Sequence, residues 1–425
     1  MTGNKAVVIS IDAATKEDLG ELGKRKNTAL LLSSSSLVEE METVVPSYTY
    51  PCHAAIVSGC YPDRNGIYHN EIFTPDRIQN DWFWWGECHR KKTIIDYANK
   101  KGLVTASVSW PTLAGGNAIY TIPEIWPIKT TEDTEGMYRK AVSKEAWPVF
   151  EDVRHLLEDR TKPFYDLYTT AASEEIIREH RPDLILIHLS EIDHVKHAHG
   201  SDRRVLAKAY DFIDSSIGGI IDAVRDTGEY GKTTFFLLGD HGQKNIERVF
   251  SINRVLRDMG YITASRDGRV ENYRIIAHPS AFTAEVYLRD IKADEAAEVF
   301  GRISEEYPHT IRRILRADEA ESLYRLSGPF SLVLESEGAL IFHPSLTFSP
   351  LMDKKEADER NIQASTHGYA PSEGPLPPFI VCSGRAAEGT VLKKARLVDE
   401  GPTILSLFSI GMEDTDGKVI DGLLR

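Results

Sequence analysis

Cysteine is scarce in this sequence: four residues in 425, Cys52, Cys60, Cys88 and Cys382, with no CxxC pair among them. That spacing supports neither a thiolate zinc site nor a disulfide framework. Long hydrophobic runs are missing too, since no stretch approaches the roughly 18 apolar residues of a spanning helix. The opening MTGNKAVVISID lacks the longer apolar stretch and small-residue cleavage site of a secretory signal. Positive charge is in deficit, with 50 Lys and Arg against 64 Asp and Glu and a net charge of −14. A nucleic-acid polymer or an anionic membrane needs a cationic surface, so neither is expected as a partner. The expectation is a soluble, cytoplasmic protein. A small phosphorylated substrate stays open, because bound cations can invert the local field.

What is present is ordinary globular material: 41% hydrophobic and 27% charged residues, in a chain longer than one hydrophobic core usually spans. Short apolar runs rich in β-branched residues lie at 6–11 (AVVISI), 183–189 (DLILIHL), 233–238 (TTFFLL) and 379–382 (FIVC). They read as strands buried on both faces, the pattern of a mostly parallel sheet covered by helices. A helical stripe of Val205, Leu206, Ala209, Phe212, Ile213, Ile220 and Val224 spans 201–226, with Ser201 as cap and Gly228 as stop. A shorter helix is expected at 93–101, leading through Gly102 into a strand at 103–108. Residues 115–162, with two tryptophans and several prolines, read as an irregular excursion. Residues 245–365 carry their own strand candidates at 281–288, and at 330–335 and 339–343 around a turn at Glu337–Gly338. The fold expected is α/β, with catalytic core segments 1–244 and 366–425 and a smaller α+β domain inserted at 245–365.

The chemistry is expected where the buried strands end. Asp12 follows the first; Asp193 and His197 follow the second; Asp240 and His241 end the third; His367 precedes the last. Ligands of open α/β sheets gather at the carboxyl ends of strands, so these distant segments can converge. Carboxylate and imidazole are the donors of zinc and similar divalent ions. Three Asp and three His divide into two sites, and paired ions can clamp both oxygens of a phosphoryl transfer. Each piece alone has a plainer explanation as a cap, a turn or surface polarity. His194 and His199 compete with His197, and only the i,i+4 relation to Asp193 favours the latter.

The candidate nucleophile lies in VPSYTYPCHAAIVSG (45–59), where Thr49 precedes Pro51 and a helical stretch ending near Gly59. Thr49 can cap that helix, and the same geometry places it at the helix N-terminus as a metal-activated hydroxyl beside a bound phosphate; the two readings are compatible.

The segment PSYTYPCHAAIVSGCYPDRNGIYHN (46–70) resembles the nucleophile motif of the type I phosphodiesterase/nucleotide pyrophosphatase family of the alkaline phosphatase superfamily. The other blocks, ISIDA, EIDHVKHAHG, LLGDHGQ and STHGYAP, fall in the family order, and SVSWPTLAGGNAIYTIPEIWP is similar to the segment after the nucleophile in bacterial members. The resemblance implies an alkaline phosphatase-like core with two divalent ions, usually zinc, with manganese or iron as alternatives. One would be held by Asp193, His197 and His367, the other by Asp12, Thr49, Asp240 and His241. It implies in-line attack by Thr49 and a phosphothreonine intermediate, with a small organic phosphoester as substrate. Cys52 stands where the family has a phosphate-binding Asn, and loss of one such donor costs about 2.7–4 kcal/mol of transition-state stabilisation. Asn65 replaces a family His. Competing activities are a phosphonoacetate hydrolase-like phosphonatase, a phosphomonoesterase and a degenerate member that binds phosphate ligands without turnover. Trp82, Trp84, Trp85 and Trp126 are candidates for an aromatic slot. The oligomeric state stays open.

Overall fold

The computed structural model describes residues 3–75, 80–125, 133–157, 164–265 and 268–425. Its centre is an eight-stranded sheet built from β1 (Lys5–Ile11), β2 (Ser35–Glu42), β3 (Thr105–Val108), β4 (Tyr120–Ile122), β5 (Leu184–Leu189) and β6 (Thr233–Leu238), with Phe379–Cys382 and Val391–Arg396. Strands run in the order Val391–Arg396, β2, Phe379–Cys382, β6, β1, β5, β3, β4. Phe379–Cys382 lies antiparallel to both its neighbours; the other pairings are parallel. The nearly continuous apolar runs have a direct cause. Alternate residues feed two separate cores: Val7, Ile9, Ile185, Ile187, Phe235 and Leu237 pack on one face, Ala6, Val8, Leu184, Leu186, Phe236 and Leu238 on the other.

The long helix Arg203–Asp226 covers the first face with Leu206, Ala209, Ile213, Ile217, Ile220 and Val224. Its N-cap is Asp202 rather than Ser201, because the Asp202 carboxylate accepts the Arg204 N–H. The second face is covered by helices Thr49–Ser58 and Glu400–Ser406. Helix Ile94–Lys100 starts from a Thr93–Asp96 capping box, as its sequence leads one to expect.

Two expectations are corrected. The segment 115–162 is not wholly irregular. It supplies the edge strand β4 and helices Thr134–Ala141 and Trp147–Val153, where Pro148 sits in the first turn and starts the helix instead of breaking it. Nor do the strands on either side of Gly338 form a hairpin. Leu332–Ser336 lies inside a four-stranded antiparallel sheet, between Thr283–Leu288 and Ile311–Arg316, so both its edges are already paired. Leu340–Phe342 therefore pairs with Arg248–Phe250 instead. Residues 245–365 add no strand to the central sheet among the described residues. Their entry and exit are fastened together where Lys244–Asn245 pairs with Ser365–Thr366.

Candidate active site

Register brings the expected residues together. Ser10 pairs with His188 in β5 and with Leu238 in β6, so the chain leaves all three strands at one level. Asp12 follows β1 directly; Asp193 lies on helix Glu191–His199 after β5; Asp240 and His241 follow β6. The turn after β6 is LLGDHGQ for a steric reason. A Cβ on Gly239 would lie 2.2 Å from the Ala14 carbonyl oxygen, and one on Gly242 2.4 Å from that of Pro375. Only glycines let this turn sit against its neighbours. Ala13, in the left-handed region at φ 56°, turns its N–H onto Asp240 Oδ1 at 3.0 Å. Lys196 donates to the Ala13 carbonyl at 2.8 Å and pairs with buried Asp18, tying the Asp193 helix to the same turn.

The donors form two adjacent cages. In one, His241 Nε2 lies 3.1 Å from Asp240 Oδ2, 3.4 Å from Asp12 Oδ1 and 3.2 Å from Thr49 Oγ1. In the other, Asp193 Oδ2 is 3.3 Å from His197 Nε2, and Asp193 Oδ1 is 3.8 Å from His367 Nε2. Donors bound tetrahedrally to zinc at 2.0–2.1 Å are about 3.3 Å apart, so the spacing suits such an ion. The tautomer suits it as well. His197 donates through Nδ1 to the Ser365 carbonyl at 2.8 Å, which leaves the Nε2 lone pair facing the cage. Gln243 donates to Asp193 Oδ1 at 2.5 Å.

Electrostatics points the same way. Burial and the neighbouring Asp12 charge push the Asp240 carboxyl well above the usual carboxylate range. Burial disfavours ionised Asp193 too, yet His197 and His367 outweigh it and hold the carboxyl low. Burial drives the His367 imidazole down to about 3, despite Asp193. A cation between these groups would favour the ionised Asp240 and Asp193 carboxylates, and the low His367 value keeps that imidazole neutral, as a ligand must be.

Thr49 is not the cap of its helix. The helix runs Thr49–Ser58, Tyr48 takes the N-cap position, and Gly59 closes it at φ 63°. The Thr49 hydroxyl is thereby left to the cage. Cys52 is one turn deeper, fully buried among Val38, Met41, Val44 and Ala55, and burial pushes its thiol well up. It lies in the core and not on the cleft wall, which corrects the phosphate-binding expectation. Asn70 stands on that wall instead: its Oδ1 accepts the Tyr50 N–H at 2.9 Å, leaving the Nδ2 amide to donate. Asn65 holds its own loop, donating to the Cys60 carbonyl and accepting from the Ile67 N–H.

The site opens into a cleft of about 1490 Å3 lined from both the core and residues 245–365. Trp82 and Trp84 line it, with Trp82 edge-on to Tyr50 at 5.2 Å. Trp85 instead packs under Lys140, and Trp126 lies outside the described residues. His69 and His278 also line the cleft, and buried Glu285 lies beside them. The Glu71 N–H donates to His69 Nδ1 at 2.8 Å, so the other ring nitrogen carries the proton and offers no lone pair to a metal. Sequence reasoning missed Asn70, Gln243, His188 and Glu124. The one signal for each was membership of a segment named above: Asn70 in 46–70, Gln243 in LLGDHGQ, His188 in DLILIHL and Glu124 in SVSWPTLAGGNAIYTIPEIWP.

Residues 6–370 match the family model described as type I phosphodiesterase / nucleotide pyrophosphatase. Human ectonucleotide pyrophosphatase/phosphodiesterase family member 1 is 23% identical over 264 residues, covering 59% of this chain and 24% of that protein. An uncharacterised pyrophosphatase/phosphodiesterase of Schizosaccharomyces pombe is 27% identical over 236 residues, covering 56% of this chain and 44% of that protein. The chain thus spans less than half the length of these relatives. Murine ectonucleotide pyrophosphatase / phosphodiesterase 5 has the same fold, with a TM-score of 0.69 at 14% identity over 99% of this chain and 100% of its own. An inactive variant of that murine protein has been solved in complex with AMP.

Proposed function

We propose, from the premise that this chain belongs to the type I phosphodiesterase/nucleotide pyrophosphatase family, that it hydrolyses a small phosphodiester or pyrophosphate through Thr49. The observation that carries the reading is the Thr49 hydroxyl, 3.2 Å from His241 Nε2 at the mouth of a carboxylate–imidazole cage. Asp12, Thr49, Asp240 and His241 would hold one divalent ion, and Asp193, His197 and His367 the other, with zinc the leading candidate for both. When bound, such ions neutralise charge building on phosphoryl oxygens.

The chain's own groups supply the rest. Thr49 Oγ1 forms a bond to phosphorus as the opposite P–O bond breaks and the hydroxyl proton passes to the leaving oxygen, giving a phosphothreonine ester; water then cleaves it, releasing the second product and restoring the Thr49 hydroxyl. The Asn70 amide donates to a phosphoryl oxygen, the role expected at Cys52. Aromatic side chains line the cleft, and Arg269 is the single Arg or Lys among its described lining residues. That balance suits a nucleotide base better than the remote carboxylate of a phosphonoacetate. AMP bound to the murine neighbour is of the same class.

The test is hydrolysis of bis-p-nitrophenyl phosphate, p-nitrophenyl phosphate and a phosphonate, each with and without Zn2+ or Mn2+. The diester is expected to turn over fastest, and Thr49→Ala to lose at least about 1,000-fold in kcat. Metal-dependent turnover surviving intact in Thr49→Ala would remove Thr49 as nucleophile, and preference for the phosphonate would move the substrate class.

A further inference from the structure

His188 stands in β5, in the run LILIHL, where every other side chain is apolar and all six residues are buried. A polar group there is costly unless it is fully bonded. Both ring nitrogens are engaged: Nδ1 lies 2.7 Å from Glu124 Oε2, and Nε2 lies 3.1 Å from Asp12 Oδ2. Carboxylates in this arrangement accept, so both nitrogens donate. Glu124 is held in turn by the Tyr50 hydroxyl, 3.2 Å from Oε1. The His188 ring is braced by the edge-on His53 ring at 4.6 Å, which itself lies against Trp110 at 4.9 Å.

The consequence falls on Asp12. With Oδ2 pinned by His188, Oδ1 is the oxygen presented to the cage, 3.4 Å from His241 Nε2. The other cage has a different support, since Asp193 is held by the neutral amide of Gln243. We infer that His188, backed by Glu124, is a positioning residue that orients Asp12 for one of the two divalent ions and leaves the other ion untouched. The inference rests on the metal reading above and adds to it a three-strand brace: Glu124 beyond β4, His188 in β5, Asp12 after β1. Partners that orient a ligating side chain typically carry 10–100-fold in metal affinity.

The experiment is calorimetric titration of the metal-free full chain with Zn2+, comparing wild type with His188→Phe and Glu124→Gln, each checked for cooperative thermal unfolding. His188→Phe is expected to weaken one of the two binding steps by about 10–100-fold and to spare the other. Glu124→Gln weakens the same step by less, because the amide oxygen still accepts from the ring. Unchanged binding in both variants, or equal weakening of both steps, overturns the role. If His188→Phe does not fold, Glu124→Gln decides alone by the same criterion. The wild-type titration reports separately whether the chain takes up two ions, so failure of the metal reading is distinguishable from failure of the His188 role.

Discussion

Thr49 and Cys52 share one helix, yet three residues of α-helix carry Cys52 about 4.5 Å down the axis, away from the open end. The thiol is therefore buried in the same core cluster as Val38, Met41 and Val44 and does not line the cleft. In the proposed reaction the phosphoryl-oxygen donor is Asn70, fixed by the Tyr50 N–H. Asn70→Ala should lower kcat by about 10²–10³, or 2.7–4 kcal/mol, the cost of losing one preorganised donor. Cys52→Ala should leave kcat within about twofold and lower only stability, through the cavity it opens in the core. Steady-state kinetics of both variants on the diester checks the pair, and the reverse ranking would return the donor role to position 52. At this scale Asp12, Asp240 and His241 were legible because each stands at the end of a recognisable buried strand, whereas Asp193, His197 and His367 lie further along the chain and were picked out only in combination. Asn70, His188 and Glu124 were not legible, since nothing in strand periodicity or local spacing marks them.

Elements decide how the two parts of the chain meet. Strand Thr283–Leu288 is central in its sheet and carries Glu285, fully buried beside the cleft-lining His69 and His278. Burial pushes its carboxyl up to about 7, with His278 opposing and Ser280 donating to it. The folded pKa is raised above the unfolded value, so the proton is bound more tightly by the folded chain. That contribution is complete below the unfolded value near 4.5 and is lost as pH rises through 7. Glu285→Gln keeps an acceptor for Ser280 and has no proton to lose. Urea unfolding at pH 5 and pH 8 should show the variant gaining on wild type by up to about 3 kcal/mol at the higher pH. A difference that does not vary with pH would show that Glu285 titrates normally. The hairpin expected around Gly338 fails at this same scale, because the strand before it already has a partner on each edge.

Over the whole molecule, the two cages draw on segments from residue 12 to residue 367, so an ion held there links parts of the chain far apart in sequence. Such an ion binds the folded state and finds no equivalent cage in the unfolded one. Zn2+ at 100 times its Kd should add about 2.7 kcal/mol per site to the unfolding free energy. The readout is a rise in Tm that EDTA reverses, and a Tm indifferent to Zn2+ and Mn2+ would count against both cages.

The sequence by itself determined the central sheet, because runs such as AVVISI and LILIHL are apolar at all but one position and have to be covered on both faces. It also indicated that Asp12, Asp240 and His241 come together, since parallel strands deliver their carboxyl ends to one edge. Thr49 was marked as well, by its place before Pro51 at a helix start. Only the tertiary structure decided that Tyr48, not Thr49, takes the cap position, that Cys52 faces the core, that Asn70 stands on the cleft wall, and that His188 bridges Glu124 to Asp12. Those outcomes depend on contacts between segments tens to hundreds of residues apart, and no local spacing or periodicity encodes them.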